Sequence, residues 1–146
     1  MKSFIIILLA LMTFGSKSLN AQTIQSIQKT EQSIRKNGKY ALLVMKVQHL
    51  KAAIQTGIEL KNKSQKLDFQ IVTCGELVKQ ISLDKELQKL IIDAVKHHGL
   101  KILVCGLSIT QFKVDKTLLP KETLATENGL IYMFGLQEQG YKTVIL

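Results

Sequence analysis

Two stretches of the chain end on a Cys-Gly pair, Ile71-Val72-Thr73-Cys74-Gly75 and Ile102-Leu103-Val104-Cys105-Gly106, and they hold both cysteines of the 146-residue sequence. Thiolates are nucleophiles, disulfide partners and metal ligands, so reactive chemistry is expected at these two positions before any other. Each cysteine closes an apolar, β-favouring run. The pattern predicts a strand that carries its thiol to the carboxyl edge of a sheet, where ligands and reacting groups collect in open α/β folds.

Cys105 is the sharper candidate for a catalytic nucleophile. The glycine after it lets the chain turn off the strand, and Ser108 with the turn that follows offers hydrogen-bond donors that favour a thiolate. A nucleophile of this kind is expected to stand accessible at the sheet rim. The competing reading is a small apolar residue that ends a buried strand. Cys74 shares the strand-to-glycine context, but Glu76 follows it, and a nearby carboxylate raises a thiol pKa. An auxiliary role is therefore expected for Cys74.

Whether the two sulfurs meet depends on strand order. Neighbouring strands lie about 4.8 Å apart and permit a disulfide, whereas an intervening strand would separate them by roughly 10 Å and forbid one. His49 follows the first predicted strand on the same edge. It is an auxiliary candidate that pairs with a thiol or holds an anion, against the plainer role of a solvated helix-start residue. His97 and His98 close a long predicted helix, where cationic side chains interact favourably with the last carbonyls. The sequence holds no C-x-x-C or H-E-x-x-H, so no metal site is expected. It also lacks G-x-G-x-x-G, a P-loop and G-x-S-x-G, which leaves no motif for a nucleotide cofactor or a serine hydrolase.

The elements that must position these groups follow from periodicity. Tyr40 to Met45, Phe69 to Cys74 and Leu100 to Cys105 are short, nearly continuous apolar runs, as expected of strands covered on both faces. Leu50, Ala53, Ile54, Gly57 and Ile58 follow helical spacing after the first run. Glu76 to Ile81 reads as a short helix. Leu87, Leu90, Ile91, Ala94 and Val95 form one stripe of a helix over Asp84 to His98, with Gly99 at its stop. Ser108 to Phe112 is expected to be a short helical turn, Val114 to Lys121 a loop around Pro120, and Thr123 to Thr126 a fourth strand. Asn128 is placed to cap a last helix running to Gln139, and Tyr141 to Leu146 reads as a closing strand. This alternation predicts a parallel sheet with helices on both faces.

Residues 1–21 read as a signal peptide: Lys2, an apolar run from Phe4 to Met12, and a small, polar stretch ending in Asn20-Ala21-Gln22. The apolar run is shorter than the about 20 residues a membrane span needs, so no membrane span is expected in a mature chain. A periplasmic or secreted location follows, with a polar helix or arm over residues 22–38 and one α/β domain over residues 39–146. Loss of Lys2 and Lys17 from the 20 basic residues leaves 18 against 11 acidic, a net charge of +7. The lysines are scattered and there is no Trp, so nucleic acid is not an expected partner.

The stretch His98-Gly99-Leu100-Lys101-Ile102-Leu103-Val104-Cys105-Gly106-Leu107-Ser108, with Tyr40-Ala41-Leu42-Leu43-Val44 before it and Asn128-Gly129-Leu130 and Gln137-Glu138-Gln139-Gly140-Tyr141 after it, resembles the DsrE family of sulfur-oxidation and sulfur-relay proteins. The likeness runs from about Lys39 to the end. It implies a three-layer α/β/α fold with a five-stranded parallel sheet, assembled as a homo-oligomer, a trimer or a hexamer. It also implies a cysteine that receives sulfane sulfur as a persulfide from a donor protein and passes it to an acceptor, with Cys105 at the matching position. The relay members have an arginine after that cysteine, which Leu107-Ser108-Ile109-Thr110-Gln111-Phe112 lacks, and they act in the cytoplasm. The resulting expectation is an exported sulfur-relay protein working through Cys105. The alternatives are a non-enzymatic oligomeric binding or assembly module with inert thiols, and a Cys74/Cys105 redox pair.

Overall fold

Runs such as Tyr40-Ala41-Leu42-Leu43-Val44 have apolar side chains on both sides of the pleat, and they settle only where both sheet faces are covered. The computed structural model, which describes residues 19–146, meets that requirement with an all-parallel five-stranded sheet. The chain runs α1 (Leu19–Gln32), β1 (Lys39–Val44), α2 (Val47–Lys63), β2 (Asp68–Thr73), α3 (Leu77–Leu83), α4 (Lys85–Lys96), β3 (Lys101–Cys105), α5 (Gly106–Gln111), a 3₁₀ turn (Lys116–Leu118), β4 (Leu124–Thr126), α6 (Gly129–Glu138) and β5 (Lys142–Ile145). Residues Arg35–Leu146 form one compact unit, and α1 belongs to another. The export-signal reading rests on residues 1–21, of which 1–18 lie outside the described residues. Among the described residues no helix is long and apolar enough to cross a membrane.

The spatial strand order is β4-β3-β2-β1-β5. From β1 to β4 the chain steps one way across the sheet, then returns to pair β5 with β1. Crossovers between parallel strands are right-handed, so reversing the direction of travel puts the returning helix on the opposite face. The packing agrees. On one face Val44, Phe69, Ile71 and Ile102 meet Leu50, Ala53 and Ile54 of α2, Leu77 and Ile81 of α3, and Leu87, Ile91 and Ala94 of α4. On the other, Ala41, Leu43, Val72 and Leu103 meet Met133 and Leu136 of α6. This is a three-layer α/β/α arrangement, with α6 opposite the layer of α2, α3 and α4.

Local chemistry sets the ends of the helices. Asp84 accepts a hydrogen bond from Leu87 N–H (3.0 Å) at the start of α4. Asn128 accepts from the N–H groups of Leu130 (3.0 Å) and Ile131 (3.4 Å) at the start of α6, the cap expected from the sequence. His97 and His98 follow the last turn of α4. Both turn to Asp93, with His97 Nδ1 2.8 Å from Oδ1 and His98 Nε2 3.6 Å from Oδ2. A carboxylate one turn back is a stronger partner for an imidazole than a carbonyl whose charge is partial.

Candidate thiol site

Residues alternate sides along a strand, so Val72 and Leu103 bring Cys74 and Cys105, two positions further on, to the face that carries α6. β2 and β3 are neighbours in register, Gln70 beside Lys101 through Thr73 beside Val104, and one more step sets Cys74 beside Cys105. Both thiols are free. Strand adjacency, which periodicity alone left undecided, makes the two sulfurs a pair.

The segments after the cysteines are joined as well. Gly75 N–H donates to Ser108 Oγ at 2.8 Å. With its oxygen so engaged, the Ser108 hydroxyl hydrogen is free to point at Cys105, and both that hydroxyl and Ser108 N–H favour charge on the sulfur. A further donor comes from across the sheet: Gly129 N–H, at the first position of α6, reaches Cys105 Sγ at 3.3 Å. Burial opposes charge on this sulfur. The hydrogen bonds from Gly129, Ser108 and the Cys74 thiol outweigh it and hold the Cys105 pKa below its ordinary value.

Cys74 behaves in the opposite way. Burial, followed by the charge on Cys105 and the hydrogen bond to it, pushes its thiol up to about 12. Glu76 was expected to do this, but it is exposed at the foot of α3 and is not among the groups acting on the sulfur. The two thiols therefore ionise unequally, with Cys105 the readier to become a thiolate.

The two glycines after the cysteines serve different ends. Gly75 takes a left-handed backbone (φ +67°), as a sharp exit from a strand requires. Gly106 does not. A Cβ there would come 2.8 Å from Thr126 O and 2.9 Å from Glu127 O, so this glycine permits the close approach of α5 to the end of β4. Gly129 is closely packed like Gly106: a Cβ on it would stand 2.6 Å from Cys74 Sγ and 3.3 Å from Cys105 Cβ. The start of α6 lies directly over the sulfurs because it carries no side chain there.

Accessibility differs from the sequence expectation. Cys105 stands at the rim by position but is only 4 % exposed, and Cys74 8 %. Helix α6 crosses the rim just above them, a consequence of the return crossover that a strand-by-strand reading does not contain. A cavity of about 340 Å³ opens beside the turn, lined by Gly106, Leu107, Thr110 and Glu127 among others, and Cys105 is not part of its wall.

His49 is not brought to the thiols. It lies in α2, on the opposite face of the sheet, with its Nδ1 buried and without a hydrogen-bond partner. Neither sulfur is acted on by it. Among the described residues no group of three His, Cys, Asp or Glu side chains is placed to hold a metal ion.

Two features escaped the sequence reading. Gly129 entered only as part of a resemblance, although an Asn-Gly at a helix start signals a cap followed by a position where backbone comes close to something. The other is a polar chain under the same helix. Tyr132 OH donates to Gln70 Oε1 (2.8 Å), Gln70 Nε2 donates to Tyr141 OH (2.7 Å), and Tyr141 OH donates to Asp68 Oδ2 (2.7 Å). Lys101 Nζ donates to the same carboxylate oxygen at 2.9 Å. Gln70, a long polar side chain between Phe69 and Ile71 in the middle of a buried strand, was its signal.

No family model and no curated protein matches the chain. Among solved structures it is similar to the protein of unknown function MTH1491 from Methanobacterium thermoautotrophicum, with 12% identity and a TM-score of 0.63 over 74% of this chain and 100% of that one. It is also similar to the conserved protein of unknown function BT1422 from Bacteroides thetaiotaomicron, with 16% identity and a TM-score of 0.58 over 73% of this chain and 94% of that one. At such identities the likeness establishes the α/β fold.

Proposed function

We propose that the chain is a thiol-based sulfur carrier in which Cys105 takes up sulfane sulfur as a persulfide. One observation carries the reading: at the carboxyl edge of the sheet, Cys105 Sγ accepts the Gly129 N–H at 3.3 Å and bonds to Ser108, beside a second thiol that keeps its proton. Donors aimed at a sulfur stabilise the thiolate, which is the attacking form. The likeness of residues 98–108 to the DsrE family supports the same chemistry, and with it a homo-oligomer that meets a donor and an acceptor protein, while the signal-like pattern of residues 1–21 supports a location outside the cytoplasm.

The Cys105 thiolate attacks the outer sulfur of a persulfide donor. A new S–S bond forms on Cys105, the donor's S–S bond breaks, and the donor leaves as a thiolate. In discharge, an acceptor thiolate attacks the outer sulfur and Cys105 departs, aided by the same hydrogen bonds that lower its pKa. Access comes through the first turn of α6, which is held over the sulfurs by the Asn128 cap.

Intact-mass measurement after incubation with polysulfide tests the reading. The native protein and Cys74→Ser should each gain a sulfur atom, and Cys105→Ser should not. Absence of any gain in both the native protein and Cys74→Ser removes the carrier role. The low exposure of both sulfurs favours a second reading, a binding or assembly module with inert thiols. In that case alkylating reagents label the folded protein no faster than global unfolding allows.

A further inference from the structure

We propose that Cys74 is a resolving thiol, which attacks the Cys105 persulfide from within the site, releases its sulfur as hydrosulfide and leaves a Cys74–Cys105 disulfide. The inference rests on the persulfide reading above and names how that sulfur leaves. Three observations carry it. The sulfurs occupy neighbouring register positions at the ends of paired parallel strands, on one face of the sheet. Strands so paired lie about 4.8 Å apart, inside the Cα separation of roughly 4.4–6.8 Å that a disulfide spans. The same glycine, Gly129, covers both side chains, since a Cβ on it would stand 2.6 Å from Cys74 Sγ and 3.3 Å from Cys105 Cβ.

Space argues the same way. The cover over the pair leaves no room for one added methyl group at Gly129, whose Cβ would stand 2.6 Å from Cys74 Sγ. An acceptor protein must displace the start of α6 before its thiol reaches the persulfide. Cys74 needs no such displacement, because it lies beneath the same cover at the neighbouring register position.

The step balances without an outside oxidant. A bond forms between Cys74 Sγ and Cys105 Sγ, and the bond from Cys105 Sγ to the outer sulfur breaks. The Cys74 proton goes to the departing sulfur, which leaves as HS⁻. Two cysteine sulfurs are oxidised and the sulfane sulfur is reduced to sulfide. A dithiol reductant then reopens the disulfide by thiol exchange, so the partner implied is a small or protein dithiol, and the net conversion is sulfane sulfur to sulfide.

The experiment loads anaerobically reduced protein with polysulfide, removes the excess by rapid gel filtration, and follows intact mass and free sulfide together. In the native protein the added sulfur atom should disappear as two hydrogens are lost, with one equivalent of sulfide appearing at the same rate. Cys74→Ser and, as a second variant, Cys74→Ala should keep the added sulfur and lose sulfide release completely. If the native protein holds its persulfide as long as Cys74→Ser does, or forms a disulfide without sulfide, the resolving role is overturned while sulfur uptake stands. If no form of the protein gains sulfur, the carrier reading fails and this inference falls with it.

Discussion

Cys74 and Cys105 face each other across the β2–β3 pair as one thiol system with unlike members, the first holding its proton and the second inclined to lose it. The asymmetry comes from position. Cys105 heads α5 and receives donors from Ser108 and from the start of α6, while Cys74 has burial and the charge of its neighbour against ionisation.

The two thiols should therefore titrate far apart. Thiolate ultraviolet absorbance of the folded protein is expected to rise first for one sulfur at a pH below the ordinary thiol value of 9.0, and Cys105→Ser should abolish that step. The second sulfur should ionise only toward about 12. Because the folded-state pKa of Cys74 is raised, its contribution to stability is full below its unfolded value and declines as pH climbs from there toward about 12. Cys74→Ala should flatten this alkaline loss in denaturation curves taken across that range. A single shared titration would contradict the asymmetry.

Removing the Ser108 hydroxyl separates electrostatics from packing. In Ser108→Ala the Gly75 N–H loses its 2.8 Å acceptor and Cys105 loses one of its donors. A buried donor without a partner costs about 1–3 kcal/mol, and the thiolate loses a stabilising hydrogen bond. The expected result is a lower denaturation midpoint together with a Cys105 pKa moved up. Loss of stability with an unchanged Cys105 titration would show that Ser108 serves the turn alone.

Gly129→Ala tests the cover. A methyl group 2.6 Å from Cys74 Sγ and 3.1 Å from Val72 Cγ1 cannot be accommodated unless something shifts, and with both neighbours buried in the core the start of α6 is expected to move off the sheet. Overpacking of this kind costs about 1–3 kcal/mol. The same movement lengthens the 3.3 Å contact from residue 129 N–H to Cys105, so the thiol pKa should rise while alkylation of the loosened site becomes easier at matched thiolate fraction. Stability and titration equal to the native protein would mean that the helix start is already free to lift.

The architecture was legible because its signals are local. Apolar runs ending at Met45, Cys74 and Cys105, the stripe of Leu87, Ile91 and Ala94, and the Asn128 cap each announce an element without reference to the rest. The boundaries moved by a residue or two, as at Cys74, which stands one past β2, and at α5, which begins at Gly106 rather than Ser108. What local patterns do not carry is the sheet order and the path of the last crossover. Those two facts decide that the cysteines are neighbours, that α6 covers them and that His49 lies behind the sheet, so the site's partners and its burial emerge only from the assembled fold.

The polar chain beneath α6 gives the last test, because it ties the helix to the amino-terminal end of the sheet through a titrating group. Burial opposes the charge on Asp68, but hydrogen bonds from Lys101 and Tyr141 overcome it and hold the carboxyl below its ordinary value. Burial, followed by the hydrogen bond to Asp68, pushes Tyr141 up to about 12. A carboxylate with a depressed folded-state pKa contributes stability that is present above its unfolded value and lost as pH falls through the folded one. In Tyr141→Phe the Asp68 carboxylate loses a 2.7 Å donor and Gln70 Nε2, on a side chain only 4 % exposed, loses its acceptor. The expected cost at neutral pH is about 1–3 kcal/mol, most of it the unpaired amide. The gap between native and Tyr141→Phe should narrow as acid protonates Asp68, because the phenol then has no carboxylate to stabilise, and only the share due to Gln70 should persist. Denaturant titrations at neutral and acid pH measure both parts, and a gap that stays constant with pH would mean that Tyr141 serves Gln70 alone.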